Sequence, residues 1–422
     1  MFRKSLALVL LSAVACPGFA QEKPKNTTVA RALPVDPSEI TPEGKANPAV
    51  PTAPATPPAA TAAKPAAAPA AEITPLPPGS VKLAPAKPAA KTDAPDLANL
   101  PVGEDAVRLQ IFLDQSNFGP GVIDGKPGRF TVQAVESWNE VHGHAPGDMG
   151  PVMAAAHKAV PNPFATAPVP AAATKWVNSA LPYKREGQVG AKQMSYRSLA
   201  EFMSERFHTD VEFLLELNGA KNTWGAKAGE GTLIVPNVKP FQVEIVTGKR
   251  YEADTVLSER HAVVDVKKNQ VRIFEGAPPA MEVEDDEDAV VSNKPVVVKA
   301  KIKPNTALVA SFPITPGQPQ FIHYGVWKLA NSVELPVWRY DKSLLETGKR
   351  SNESMNIPPG PNSPVGIIWN GLSKPGIGLH GTPDPETIGR AQSHGCIRLA
   401  NWDAIRIPTL LRPGATVEIR KQ

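Results

Sequence analysis

The sequence predicts a multidomain chain whose C-terminal part is mostly β with few helices. Ahead of it stand a small all-α unit and a small α+β unit, joined by Pro/Ala-rich linkers. Three observations carry this. The 422 residues exceed the usual single domain of about 100 to 200 residues. Proline is clustered, with 17 of the 47 prolines in residues 21–100 among alanines and almost no aromatic side chain, a composition that cannot bury enough apolar surface to fold. Apolar residues recur at spacings of three and four between 105 and 215, then give way after 258 to short β-rich runs.

Residues 1–20, MFRKSLALVLLSAVACPGFA, join a basic start to the apolar run Leu6 to Ala15 and end in small residues. This is the pattern of a cleaved export signal, so the rest of the chain is expected in the periplasm or cell wall. The run is too short to cross about 30 Å of hydrocarbon as a helix, so no stable transmembrane segment is expected. Lipidation at Cys16 is disfavoured, because Ala13, Val14 and Ala15 precede it without the leucine usual in lipoprotein signals. Residues 21–100 are expected to form a disordered, extended tether. A formal net charge of +4 over the whole chain leaves no electrostatic footprint for nucleic acid.

In 101–146, Ala106, Leu109, Phe112 and Leu113 mark one helix, and Val132, Val135, Trp138 and Val141 a second that starts near Thr131, a residue able to cap it. Between them lies the turn NFGPGVIDGKPGRF. The series Leu109, Gln110, Gly121, Asp124, Gly125, Gly128, Thr131 and Ala134 resembles the small helical peptidoglycan-binding domain. Most of these residues are explained by folding alone, so wall binding is what the resemblance implies. Residues 147–182 are expected to be a second linker. In 183–238, Leu199, Phe202, Met203 and Phe207 fit one helix, Val211, Leu214 and Leu215 another that ends at Asn218-Gly219, and Leu233 to Pro236 a short strand. The series S-L-A-E-F, L-x-x-L-N-G and G-x-G-T-L-I-V-P resembles a LysM glycan-binding module, although its opening strand is not recognisable in YKREGQVGAKQMSYRS.

From 258 to 422 the strand candidates are His261 to Val266 and Gln270 to Glu275, a hairpin around Lys267-Lys268-Asn269, then Val296 to Ile302, Ala307 to Ile314, Tyr324 to Leu329, Val365 to Trp369, Ile377 to His380 and Val417 to Arg420. The acidic run 282–288 reads as a solvated loop without EF-hand spacing. Asn401 is placed to cap a helix that Pro408 should shorten.

The chemistry concentrates in IGLHGTPDPETIGRAQSHGCIRLANWD, residues 377–403. Cys396 is the only cysteine after residue 20. It is therefore a buried small hydrophobe, a partner for another chain or a reactive thiol. Its setting favours the third. A thiol of pKa about 8.5 needs a base or a positive field to react at neutral pH, and His380 can supply the base. Gly395 leaves room for a carbonyl carbon to approach and lets neighbouring amides meet the developing oxyanion. Metal ligation by His380, His394 and Cys396 is disfavoured, since no ligand carboxylate is marked by spacing.

The pattern H-G-T, a spacer with I-G, then S-H-G-C-I-R-L resembles the L,D-transpeptidase family, or YkuD domain, as do Pro359-Gly360-Pro361 through Pro364 and Gly366. The resemblance implies a β-sandwich with few helices and a catalytic set of Cys396 as nucleophile, His380 as base and the Gly381 carbonyl as its orienter. Ser393, His394 and Gly395 would shape the oxyanion pocket, and Arg398 would hold a substrate carboxylate, a task suited to its planar fork. The implied partner is peptidoglycan, through its stem peptides and glycan strands, with a wall-anchored protein as a further possible acceptor. No cofactor is implied. An L,D-carboxypeptidase and an inactive wall-binding scaffold are the alternatives.

Overall fold

The computed structural model describes residues 73–83, 100–276, 307–343, 351–390 and 395–421. The expected signal at 1–20, the tether except 73–83, the strand at Val296–Ile302, the acidic run 282–288, Ser393 and His394 lie outside the described residues.

Helices α1 (Glu104–Gln115) and α2 (Arg129–His142) form where apolar periodicity predicts them, and bury Leu109, Leu113, Ala134, Val135 and Trp138 together. The turn between them is built by Gln110, whose Oε1 accepts from Gly125 N at 2.8 Å while its Nε2 donates to Asp124 Oδ1 at 3.0 Å. Gln110 and Asp124 thus hold the turn. Thr131 is not the N-cap of α2: Gly128 is, and Thr131 Oγ1 accepts the Gly128 amide at 3.3 Å from inside the first turn.

Residues 147–182, expected as a linker, are folded. Asp148 caps α3 (Met149–Ala159) by accepting from Gly150 N at 3.0 Å, and Val152 packs with Leu109 and Leu113. Strand β2 (Phe164–Pro168) pairs antiparallel with β3 (Thr232–Pro236), from Phe164 opposite Pro236 to Pro168 opposite Thr232. Its outer edge takes β1 (Thr74–Pro75), so part of the expected tether also belongs to the fold. Small alanines suffice here because partners bring the bulk: Phe164 and Ala167 join Phe213, Leu214, Leu233 and Val235 in one core.

Between β2 and β3 the chain makes α4 (Arg185–Gln188), α5 (Leu199–Arg206) and α6 (Val211–Trp224). Ser198 and Asp210 cap α5 and α6, accepting from Glu201 N at 3.0 Å and Phe213 N at 2.7 Å. Helix α6 does not end at Asn218-Gly219; it breaks at Gly219 (φ 72°) and resumes. The Asn218 amide leaves the helix to grip Ile234 of β3 from both sides, at 2.7 and 2.8 Å. The strand that pairs with β3 is therefore β2, supplied from upstream of 183–238.

The C-terminal region is mostly β and builds one curled nine-stranded sheet. Its members are β4 (Arg250–Tyr251), β5 (His261–Asp265), β6 (Gln270–Phe274), β7 (Leu308–Pro313), β8 (Gly325–Glu334), β11 (Ile368–Leu372), β12 (Gly378–His380), β13 (Ile397–Arg398) and β14 (Thr416–Arg420), in the order β13-β12-β11-β8-β14-β5-β6-β7 with β4 on β8. The first half of β8 pairs with β14 and the second with β11, so the sheet turns about that strand. A separate hairpin, β9 (Trp338–Tyr340) and β10 (Met355–Ile357), stands beside it. Helices α7 (Asn401–Ala404) and α8 (Ile407–Leu410) are two short pieces, the second with Pro408 in its first turn.

All of these elements lie in one unit, Ala67–Gln422, and its parts are locked by buried polar contacts. Asp114 of α1 receives Arg406 Nη2 at 2.8 Å and lies 3.1 Å from His208 Nδ1. Burial pushes its carboxyl up, but Arg406 and His208 hold it well below the usual carboxylate range. The sheet edge β7 is met by the turn after α1 and by α2: Phe118 bridges to Ser311, whose Oγ donates to Ser137 Oγ at 3.0 Å.

Candidate active site

Strand β12 ends in His380 and β13 begins one residue after Cys396. The two strands are parallel, with Leu379 opposite Ile397 and His380 opposite Arg398. That register sets the histidine, the cysteine and the arginine side by side. All three line one cleft of about 1260 Å³. His380 is 3 % exposed, whereas Cys396 is partly open to the cleft.

The His380 Nδ1 lies 2.7 Å from the Gly381 carbonyl oxygen. A carbonyl only accepts, so Nδ1 carries the proton and Nε2 is the basic nitrogen. Trp369 stacks on the ring at 5.6 Å, with planes 18° apart. Burial, and then the Arg398 charge, push the imidazole down to about 4 even though the Gly381 bond favours its cation. Burial likewise pushes the Cys396 thiol up to about 11, opposed by a backbone hydrogen bond and by Arg398. Its Sγ–H donates to the Gly376 carbonyl at 3.3 Å. The thiol and the imidazole on this cleft are therefore both neutral near pH 7. The thiolate must be made during reaction, by proton transfer to Nε2.

Gly395 has φ +119°, and a Cβ there would lie 3.0 Å from the Phe321 carbonyl oxygen. That position admits only glycine without strain. Ser393 and His394, expected to complete this turn, fall outside the described residues. Trp369 lines the cleft, whereas its neighbour Asn370 is fully buried and donates to the Leu379 carbonyl at 3.2 Å.

Asn401 does not cap α7, whose N-cap is Ala400. Its side chain sits behind the histidine strand. Oδ1 accepts from Ile367 N at 3.2 Å, and Nδ2 donates to the Pro361 carbonyl at 3.2 Å and to Glu205 Oε1 at 2.7 Å. Glu205 comes from α5, and its other oxygen accepts from the Tyr196 hydroxyl. Sequence reasoning missed this brace, since Glu205 and Asn401 lie 196 residues apart.

Burial pushes the Glu205 carboxyl up to about 8, with the bonds from Tyr196 and Asn401 opposing it. Unfolded, it ionises near 4.5. Between these values the folded chain keeps a proton that the unfolded chain has released, so this group's contribution falls as pH rises from about 4.5 to about 8. Glu205→Gln stays neutral; its Oε1 can accept from Asn401 while its Nε2 donates to the Tyr196 hydroxyl, reversing that bond. Its Tm relative to wild type should rise across that window, a comparison that cancels Asp403, another buried carboxyl pushed up to about 8. A Tm difference flat with pH would show that Glu205 ionises in place.

Fold and cleft define a mostly β domain with a thiol and an imidazole at one opening. Residues 289–419 match the model of the YkuD family, the L,D-transpeptidase catalytic domain. Over those residues the chain is similar to L,D-transpeptidase catalytic domains. A Bacillus licheniformis protein described as an L,D-transpeptidase YkuD is 38% identical over 78 residues, 18% of this chain and 47% of its own length. Its Bacillus subtilis counterpart is 38% identical over 80 residues, 19% and 49% of the two chains. The chain spans about half the length of these curated relatives. The crystal structure of L,D-transpeptidase 3 from Mycobacterium tuberculosis is similar with a TM-score of 0.26 at 14% identity, covering 39% of this chain and 61% of that one, a likeness too slight to build on. Among the described residues no helix is long and apolar enough to cross a membrane.

Proposed function

We propose that this protein is an exported peptidoglycan L,D-transpeptidase that works through Cys396. The observation that carries the reading is the placement of Cys396 and His380 on one cleft, with the imidazole tautomer set by Gly381 so that Nε2 is the base. Cys396 Sγ attacks the carbonyl of the third, L-centred residue of a tetrapeptide stem as Nε2 takes the thiol proton. The S–C bond forms, the C–N bond to the terminal D-amino acid breaks, and the proton passes from His380 to the leaving amine. An acceptor amine then attacks the thioester, gives up a proton through His380 and restores the thiol, leaving a cross-link. Ser393, His394 and Gly395 shape the oxyanion pocket, and Arg398 holds a substrate carboxylate. The helical unit and the strand–helix–helix–strand unit upstream hold the enzyme on its polymer, where effective concentration replaces tight substrate binding.

The test is intact-mass analysis after adding a carbapenem. Wild type should gain one adduct and Cys396→Ala none; no adduct on wild type, or one that persists in the variant, overturns the reading. Water in place of the acceptor amine would make the enzyme a carboxypeptidase. Digested walls separate the two outcomes, as new dimers or as shortened stems.

A further inference from the structure

The cleft is walled in part by residues that do not belong to the matched domain. The segment between β2 and α5 packs Leu181 and Met194 against Ile357 of β10, with Trp338 and Tyr340 of β9 beside them. Met194 N donates to the Pro359 carbonyl at 2.8 Å, Asn362 N to the Met194 carbonyl at 2.9 Å, and Asn362 Nδ2 to the Ser195 carbonyl at 2.9 Å. Gly360 (φ +143°) lies so close that a Cβ would overlap the Met194 backbone. This segment is therefore fixed to the Pro359–Gly366 run that leads into the histidine strand.

From it Arg185 reaches the cleft that Cys396, His380 and Arg398 line. Its guanidinium lies 5.5 Å over the Trp338 ring, and its Nη1 donates to Gln188 Oε1 at 2.7 Å. Gln188 is 2 % exposed and is itself anchored to the Pro182 carbonyl at 2.9 Å. The fork is thus held in place before any ligand arrives. Among the described residues neither Arg185 nor Arg398 has an ion-pair partner. The cleft lining holds six Lys and Arg side chains against one carboxylate, Asp341, which is paired with Arg339 at 2.8 Å. Asp384 acts on both from a distance, outside the lining, without a direct ion pair; partly buried guanidiniums so placed lose hydration that a bound carboxylate restores through bidentate, charge-assisted bonds.

We propose that Arg185 binds a second carboxylate of the acyl donor, so that the cleft selects stem peptides carrying two free carboxylates, one for Arg398 and one for Arg185. This rests on the acyl-transfer reading above. It makes the upstream unit a wall of the active site as well as a neighbour.

The test uses the full chain and two synthetic tetrapeptide donors that differ only in whether the carboxylate other than the C-terminal one is free or amidated. Dissociation constants are measured on the Cys396→Ala background and turnover on the otherwise native enzyme. Wild-type Arg185 should favour the free acid by about tenfold or more, the scale of a charge-assisted bond. Arg185→Gln should erase that preference through KM with kcat unchanged, and Arg185→Lys should restore part of it. Equal weakening of both donors, or no change in either, overturns the proposal. If wild type turns over neither donor yet the Cys396→Ala protein still discriminates between them through Arg185, the acyl-transfer reading falls and only the carboxylate site at Arg185 stands. Turnover without discrimination sinks this one alone.

Discussion

His380→Gln should slow acylation of Cys396 by about 10³-fold at neutral pH, the scale of a lost general base. The reason lies in two burial effects of opposite sign. The imidazole is pushed down to about 4 and the thiol up to about 11, so neither is charged over the range between. The wild-type kcat/KM should then rise along one acid limb near pH 4, as the His380 cation gives up its proton, and stay level until the thiol itself ionises near 11. In His380→Gln the deficit should shrink as pH rises, because hydroxide forms the thiolate that the base no longer makes. Stopped-flow acylation across pH decides this. A bell with both limbs near neutrality would mean a standing thiolate–imidazolium pair and would refute the neutral-pair reading.

That neutral pair could not be read from the motif. Residue types at set spacing announce a thiol and a base, but the charge state depends on how deeply the curled sheet buries them. The cleft residues that are near in sequence were legible: His380 and Arg398 fall on the two strands of one parallel pair, and Cys396 directly precedes the second. The strands themselves were legible from alternation in β6 and β14 and from the β-rich run of β5, which is buried throughout. What stayed hidden depends on distant partners. Residues 147–182 look like a linker because their apolar side chains are small and interrupted by proline. They fold because β3, about 70 residues on, supplies the other edge and the bulk for β2. Asn401 reads as a helix cap from its neighbours alone. In the fold its amide is claimed by Ile367, Pro361 and Glu205 instead.

The second large effect is expected at Gly381. A Cβ there would overlap Asn401 Oδ1 and lie 3.2 Å from the Gly366 Cα. Something must move, and the candidates are the amide brace and the β12 backbone. Gly381→Ala should therefore cost about 1–3 kcal/mol in stability, the range for overpacking a close-packed interior. Where the variant still folds, its acylation should drop as well, because the carbonyl that fixes His380 Nδ1–H belongs to the residue displaced. Asn401→Ala clears the same space but leaves Ile367 N and the Glu205 carboxyl short of a partner, also at about 1–3 kcal/mol. In the double variant Gly381→Ala/Asn401→Ala the new methyl occupies the emptied volume, so the two losses should sum to less than their total, with a coupling of about 1–3 kcal/mol. Gly366→Ala supplies the contrast. Its φ of +60° strains any side chain, and its Cβ would come 2.6 Å from the Gly381 backbone as well as overlap Asn401, so removing Asn401 should rescue it far less. Denaturant titrations of the four-member cycle, with acylation rates measured below the transition, test both parts. Strict additivity, or a Gly381→Ala protein with wild-type Cm and rate, would mean that Asn401 does not press on the strand that carries the base.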